Sequence, residues 1–212
     1  MVRISDAIKE DHRLLREYHD KIINAGDEDT STRWGNKFTW ELARYTVAEE
    51  LVVYPALESY MDHGQIMVDK DRKEHQEAPR KLPSQWKFDA YMANGSTLFN
   101  MIRRNQIKER LYKFQNMSAQ DPEFRPTLDG IMERLNKHIE EEEDEDLASL
   151  ESVIQLDESE SLAKKFERTK MFVPTRAHPH SPKDPMFETV VNFLEAPLDK
   201  LQDMMRRFPE TE

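Results

Sequence analysis

Apolar residues recur near the start of the chain at Ile4, Ile8, Leu15, Tyr18 and Ile22, at steps of three, four and seven. These are helical spacings, and they predict a first helix opened by Ser5 and Asp6 and stopped by the polar stretch NAGDEDTST, residues 24–32. A second helix is expected from about Thr32 to Met61, with Phe38, Leu42, Val52, Val53 and Leu57 inward. Pro55 should bend or locally break it, because proline has no N–H to give and crowds the preceding turn. A third helix is expected from about Ile66, interrupted at Pro79 and Pro83. Periodicity is weak over residues 78–106 and resumes at Ile107, Leu111, Phe114 and Met117. After the loop NMSAQDPEFRP, a fourth helix from about Thr127 places Leu128, Ile131, Leu135 and Leu150 on one face. Beyond Asp157 the pattern changes to a short helix (ESESLAKKFERTKMF), a proline-fixed strap (VPTRAHPHSPKDP) and a last amphipathic segment broken at Pro197. There is no internal repeat. The expected fold is all-α, an antiparallel four-helix bundle over residues 1–156 with 78–106 as an insertion. A C-terminal extension, residues 157–212, is expected to fold back and pack on the bundle.

Composition narrows the function. Only five glycines and 34% charged residues favour helices over sheets. A net charge of -11 argues against a nucleic-acid surface, which needs a concentrated basic face, and against an anionic membrane partner. With no cysteine, disulfides, thiolate metal sites and thiol catalysis are excluded, so any metal must be held by nitrogen and oxygen. The N-terminal MVRISDAIKEDHRLL lacks the apolar core of a signal peptide, and no stretch approaches the roughly 18 apolar residues of a membrane span. A soluble, cytoplasmic protein is the expectation.

Ionisable residues interrupt the apolar stripes. His12 lies four after Ile8 and three before Leu15; Tyr45 and Glu49 fall between Leu42 and Val52 at steps of three, four and three. His138 follows Leu135 by three, and Glu142 follows His138 by four. A buried carboxylate is costly to ionise without a partner, and no lysine or arginine occupies the inward positions that match Glu49 and Glu142. A pair of divalent or trivalent ions would offset both charges, and bundles with inward carboxylates and histidines hold two iron or manganese ions. His75, on the third helix, would complete the ring. Against this stands the ordinary behaviour of each residue alone: single histidines are commonly satisfied core or surface groups, and His–Glu pairs four apart arise by chance in a glutamate-rich chain. Both readings stay open on spacing alone. His19, two turns from His12, lies roughly 10 Å along the axis and is too far to share an ion with it. His63 is expected in a solvated turn, and His178 and His180 in a rigid strap. Acidic residues 140, 141, 143 and 144 read as a solvated face that attracts cations.

The segments IKEDHRLLREYHDKI, ELARYTVAEELVVYPALE, DRKEHQ and LNKHIEEEEDEDL resemble the hemerythrin-like (HHE cation-binding) domain, most closely its fungal branch. The tail FERTKMFVPTRAHPHSP…FETVVNFLEAPLDKL resembles that branch too, and only residues 78–106 fall outside the likeness. The resemblance implies a four-helix bundle around a non-haem di-iron centre that binds or activates O2. It implies His12, Glu49, His75, His138 and Glu142 as iron ligands, with Glu49 and Glu142 bridging. The family's second-helix His-x-x-x-Glu reads Tyr45-Thr46-Val47-Ala48-Glu49 here, so one ligand histidine has become tyrosine. A tyrosine binds ferric iron as phenolate but serves ferrous iron less well than imidazole. The implied cofactor is two iron ions; if Tyr45 does not coordinate, one iron loses a ligand and opens a position for substrate or solvent, and a half-site weakened in this way would leave one iron or another divalent metal. Three functions follow: a di-iron protein that binds, senses or stores O2 or iron; an oxidase or oxygenase of a small organic substrate; or a helical interaction module with a degenerate site. The expected partner is O2 or a small molecule, and no catalytic residue is identified. Trp86, Phe88, Tyr91 and Phe99 of the insertion would pack over the bundle mouth or against its side.

Overall fold

The computed structural model describes residues 2–60, 107, 109–176, 199, 203 and 206–210. The fold is all-α, with no strand among these residues. Its helices are α1 (Ile4–Ile23), α2 (Glu28–Ala48), α3 (Tyr54–Tyr60), α4 (Phe124–Glu141), α5 (Leu147–Val153) and α6 (Leu156–Lys170). Residues 109–114 are also helical. Two π-helical turns carry one helix into the next without a break: π1 (Glu49–Val53) joins α2 to α3, and π2 (Glu142–Asp146) joins α4 to α5.

Local chemistry sets the ends. At the start of α1 the Asp6 carboxylate accepts the Arg3 backbone N–H at 3.1 Å, and at its end the Asn24 N–H bonds the Asp20 carbonyl at 3.0 Å. Helix α2 begins four residues before the expected Thr32. Asp27 accepts from the Thr30 N–H at 2.8 Å and the Thr30 hydroxyl at 2.7 Å, and Glu28 and Asp29 place negative charge where the helix dipole favours it. Helix α4 begins three residues before Thr127, because Pro126 sits in the first turn, where its missing N–H is not needed. Pro55 does not break its helix. The i→i+5 bond from the Tyr54 N–H to the Glu49 carbonyl widens the turn just before it, where a regular α turn would press the proline ring on the Leu51 carbonyl.

The expected stripes form the core. Ile4, Ile8, Leu15, Tyr18, Ile22, Phe38, Leu42, Val52, Val53, Ile107, Leu111, Phe114, Leu128, Ile131, Leu135 and Leu150 are all buried, with Leu57 and Met117 partly buried against them. Gly35 permits the closest packing at one end: a Cβ there would lie 3.1 Å from the Phe124 ring, which stacks on Phe114 at 4.7 Å between centroids. Helix α6 packs on α1, α2 and π1. Its Ser159 hydroxyl accepts the Ile4 N–H at 3.1 Å, and its Lys170 Nζ lies 2.6 and 2.7 Å from the two Asp11 carboxylate oxygens, both residues buried. Near the C-terminus, Arg206 donates to the Gln115 carbonyl and Asn36 donates to the Arg207 carbonyl, tying residues 206 and 207 to the end of the bundle that holds Gly35. No helix among the described residues is long and apolar enough to cross a membrane. The third-helix start near Ile66, with His63 and His75, the 78–106 insertion, and His178 and His180 of the strap lie outside the described residues.

Candidate metal centre

Five of the residues singled out from spacing meet in one buried cluster. His12 comes from α1 and Tyr45 from α2; Glu49 is the first residue of π1; His138 comes from α4; Glu142 is the first residue of π2. None is more than 4% exposed. His19 is only partly buried and has its Nδ1 3.5 Å from Asp20, apart from the cluster.

The donor atoms form two triangles that share Glu142. On one side, His12 Nε2 lies 2.8 Å from Tyr45 Oη and 3.2 Å from Glu142 Oε2, and Tyr45 donates to Glu142 Oε2 at 2.9 Å. On the other, His138 Nε2 lies 3.3 Å from Glu49 Oε1 and 3.6 Å from Glu142 Oε2. Adjacent ligands of an octahedral ion with bonds of about 2.1 Å are separated by about 3 Å, so the first triangle already has the edges of such a face. Glu49, His138 and Glu142 each offer a ligand atom within 4.8 Å of the others, a spacing that a small contraction closes around one ion.

The electrostatics call for positive charge. Burial and the neighbouring Glu49 charge push the Glu142 carboxyl above its ordinary range, against the pull of His12 and His138. Burial also opposes ionisation of Glu49, but His138, hydrogen bonds from His138 and Glu142, and His12 together hold it below its ordinary value. The two carboxyls are therefore pushed in opposite directions, Glu49 down and Glu142 up. Burial, Glu142 and Glu49 push the Tyr45 phenol well above 10. Glu142 Oε1 is buried with no hydrogen-bond partner. An orphaned carboxylate oxygen among two histidines, a second carboxylate and a phenol fits a cation, which would satisfy the lone pairs and offset the charge.

Two supporting residues escaped the spacing argument. Tyr54 donates to Glu49 Oε1 at 3.0 Å, and Glu143 Oε1 lies 2.7 Å from His12 Nδ1. Glu143 belongs to the acidic run expected to be a solvated face. Glu140 and Asp144 are indeed exposed, whereas Glu141 and Glu143 are partly buried. No composition signal separates Glu143 from its neighbours; only its place directly after Glu142 does.

Residues 3–84 match the family described as Hemerythrin HHE cation binding domain. Over 210 residues the chain is 46% identical to an uncharacterized hemerythrin-like protein of Schizosaccharomyces pombe, an alignment covering 99% of this chain and 89% of that protein. No solved structure matches the chain at a significant level. A helical fold, a buried oxygen and nitrogen donor set that fits a cation, and this identity along nearly the full length agree: the chain belongs to the hemerythrin-like, HHE cation-binding family.

Proposed function

We propose that the protein is a non-haem iron protein that holds up to two iron ions between α1, α2 with π1, and α4 with π2, and that binds or reacts with O2 there. The observation that supports this reading most directly is Glu142, whose Oε2 is the corner shared by the two donor triangles and whose Oε1 is buried with no hydrogen-bond partner. Glu142 would serve both half-sites. His12 and Tyr45 would complete one, Glu49 and His138 the other, and His75 is proposed from family resemblance as a further ligand. Bound ferrous iron would supply electrons for O2, and the chain supplies the rest. Its burial excludes water, and Tyr45 Oη and Glu142 Oε2 hold a proton between them at 2.9 Å. After anaerobic loading with ferrous iron, elemental analysis should find between one and two irons per chain, and His138→Ala should lower that content. Iron near zero in well-folded wild-type protein would sink the proposal.

One observation favours a second reading, an oxidase or oxygenase of a small organic acid. A cavity of about 610 Å³ is lined by Leu51, Lys164, Lys165, Arg168 and Phe172 among others, and Leu51 lies in the same π turn as Glu49. Its volume suits a small ligand and its basic rim suits a carboxylate. Oxygen uptake by the ferrous protein should rise with such acids if this reading holds, and stay unchanged if the protein only binds O2.

A further inference from the structure

His12 has both ring nitrogens engaged. Nε2 faces Tyr45 Oη at 2.8 Å and Glu142 Oε2 at 3.2 Å, while Nδ1 lies 2.7 Å from Glu143 Oε1. A metal takes the lone pair of a neutral imidazole, so the nitrogen on the far side must carry the proton. A carboxylate at 2.7 Å from Nδ1 accepts that proton's hydrogen bond and leaves the Nε2 lone pair pointing into the cluster. It also fixes the ring against rotation and raises the basicity of the ligand nitrogen.

The helix supplies this second acid by simple geometry. Successive residues of a helical turn, α or π, are roughly a quarter turn apart, so Glu142 faces the cluster while Glu143 is turned toward His12 of α1 from the side. Two consecutive acids thus address opposite nitrogens of one imidazole. Glu143 is 27% exposed in its side chain, yet His12 is fully buried, so the contact is shielded on one side and wet on the other. Asp144 and Glu145, next in the run, are exposed.

We propose that Glu143 is a positioning residue for His12, and that through it Glu143 decides whether the half-site of His12, Tyr45 and Glu142 is filled. The half-site of Glu49, His138 and Glu142 does not depend on it. This rests on the metal-binding reading above, so the experiment separates the two. Cobalt(II) is titrated into metal-free protein against a chromophoric chelator, for wild type, E143A, E143Q and the control D144A. Wild type and D144A should take two ions. E143A should lose about 10- to 100-fold in affinity for one ion only. E143Q, which keeps an amide oxygen as acceptor, should recover most of that loss. In zinc-loaded, ¹⁵N-histidine-labelled wild type, His12 should show a protonated Nδ1 and a metal-bound Nε2, a readout that holds even if E143A fails to fold. Equal affinities in E143A and wild type, an equal loss for both ions, or a His12 ring bound through Nδ1 would each overturn the proposal. Wild type that takes a single ion untouched by E143A would overturn it too. Wild type that takes no ion would overturn the metal reading itself, and this proposal with it.

Discussion

By its resemblance to the family, Tyr45 takes the place expected for a histidine, and its surroundings determine what a tyrosine does there. Burial and the Glu142 and Glu49 carboxylates push the phenol well above 10, so in the metal-free protein it stays protonated and donates to Glu142 at 2.9 Å. A trivalent ion reverses that balance, because a bound cation stabilises the phenolate that the two carboxylates disfavour. The 2.8 Å and 2.9 Å edges to His12 and Glu142 put Oη within reach of an ion held in the proposed first half-site. Ferric-loaded protein should therefore show a broad visible phenolate-to-iron charge-transfer band. Tyr45→Phe should abolish the band, and Tyr45→His should replace it with a site that binds ferrous iron more tightly and reacts with O2 more reversibly. An unchanged spectrum and iron content in Tyr45→Phe would make Tyr45 a packing residue against Phe166, whose ring it meets edge-on at 6.5 Å.

At the scale of elements, α6 is fixed over the site by one buried ion pair. Lys170 Nζ reaches both Asp11 oxygens, with Glu41 at 3.7 Å and Glu167 at 3.1 Å. Removing one partner of a buried pair costs about 3–5 kcal/mol, because the other charge is left without a counter-ion. Lys170→Ala should show a loss of that order in denaturant unfolding. Burial already raises Asp11 from 3.8 to about 6 despite the pull of Lys170. A raised acid contributes stability in its protonated form, fully present below about 4 and lost as pH rises through 6. The Lys170→Ala deficit should accordingly be smaller at pH 5 than at pH 8, and a deficit under about 1 kcal/mol at both would show that the pair is not holding α6. The elements differ in how far the sequence reveals them. The stripes of α1, α2 and α4 follow the 3.6-residue period, so His12, Tyr45, Glu49, His138 and Glu142 could be placed inward by counting. The π turns could not, since nothing in EELVV or EEDED announces an i→i+5 bond. Tyr54 is the consequence: five residues after Glu49 it would lie about 140° around a regular helix, and only the widened turn brings its hydroxyl to Glu49. The early start of α2 was hidden for another reason, because Asp27 and Thr30 read equally well as loop residues until their hydrogen bonds are seen.

For the whole molecule, the site is a cost that the apolar stripes sustain. Of the carboxylates behind the net charge of -11, Glu49 and Glu142 are buried, and among the described residues no lysine or arginine pairs with either. The bundle still closes because Ile8, Leu15, Phe38, Leu42, Ile131 and Leu135 form a fully buried stripe beside the cluster. A cation held in the proposed site would both offset the carboxylates and cross-link three helical rods, so metal binding should appear as global stability. At one hundred times its dissociation constant a bound ion adds about 2.7 kcal/mol, which for a chain of this size is on the order of 5–10 °C in Tm. Glu142→Gln tests this from the opposite side. The amide has nearly the same shape, removes the acid that burial and Glu49 disfavour, and offers Glu49 a donor. The metal-free variant should unfold at a higher temperature than metal-free wild type, by the equivalent of about 1 kcal/mol, and its Tm should no longer respond to metal. A variant that is less stable without metal would show that the Glu142 charge is already satisfied by protein groups. One that kept the full metal-induced rise would remove Glu142 from the ligand set, and with it the shared corner on which both half-sites depend.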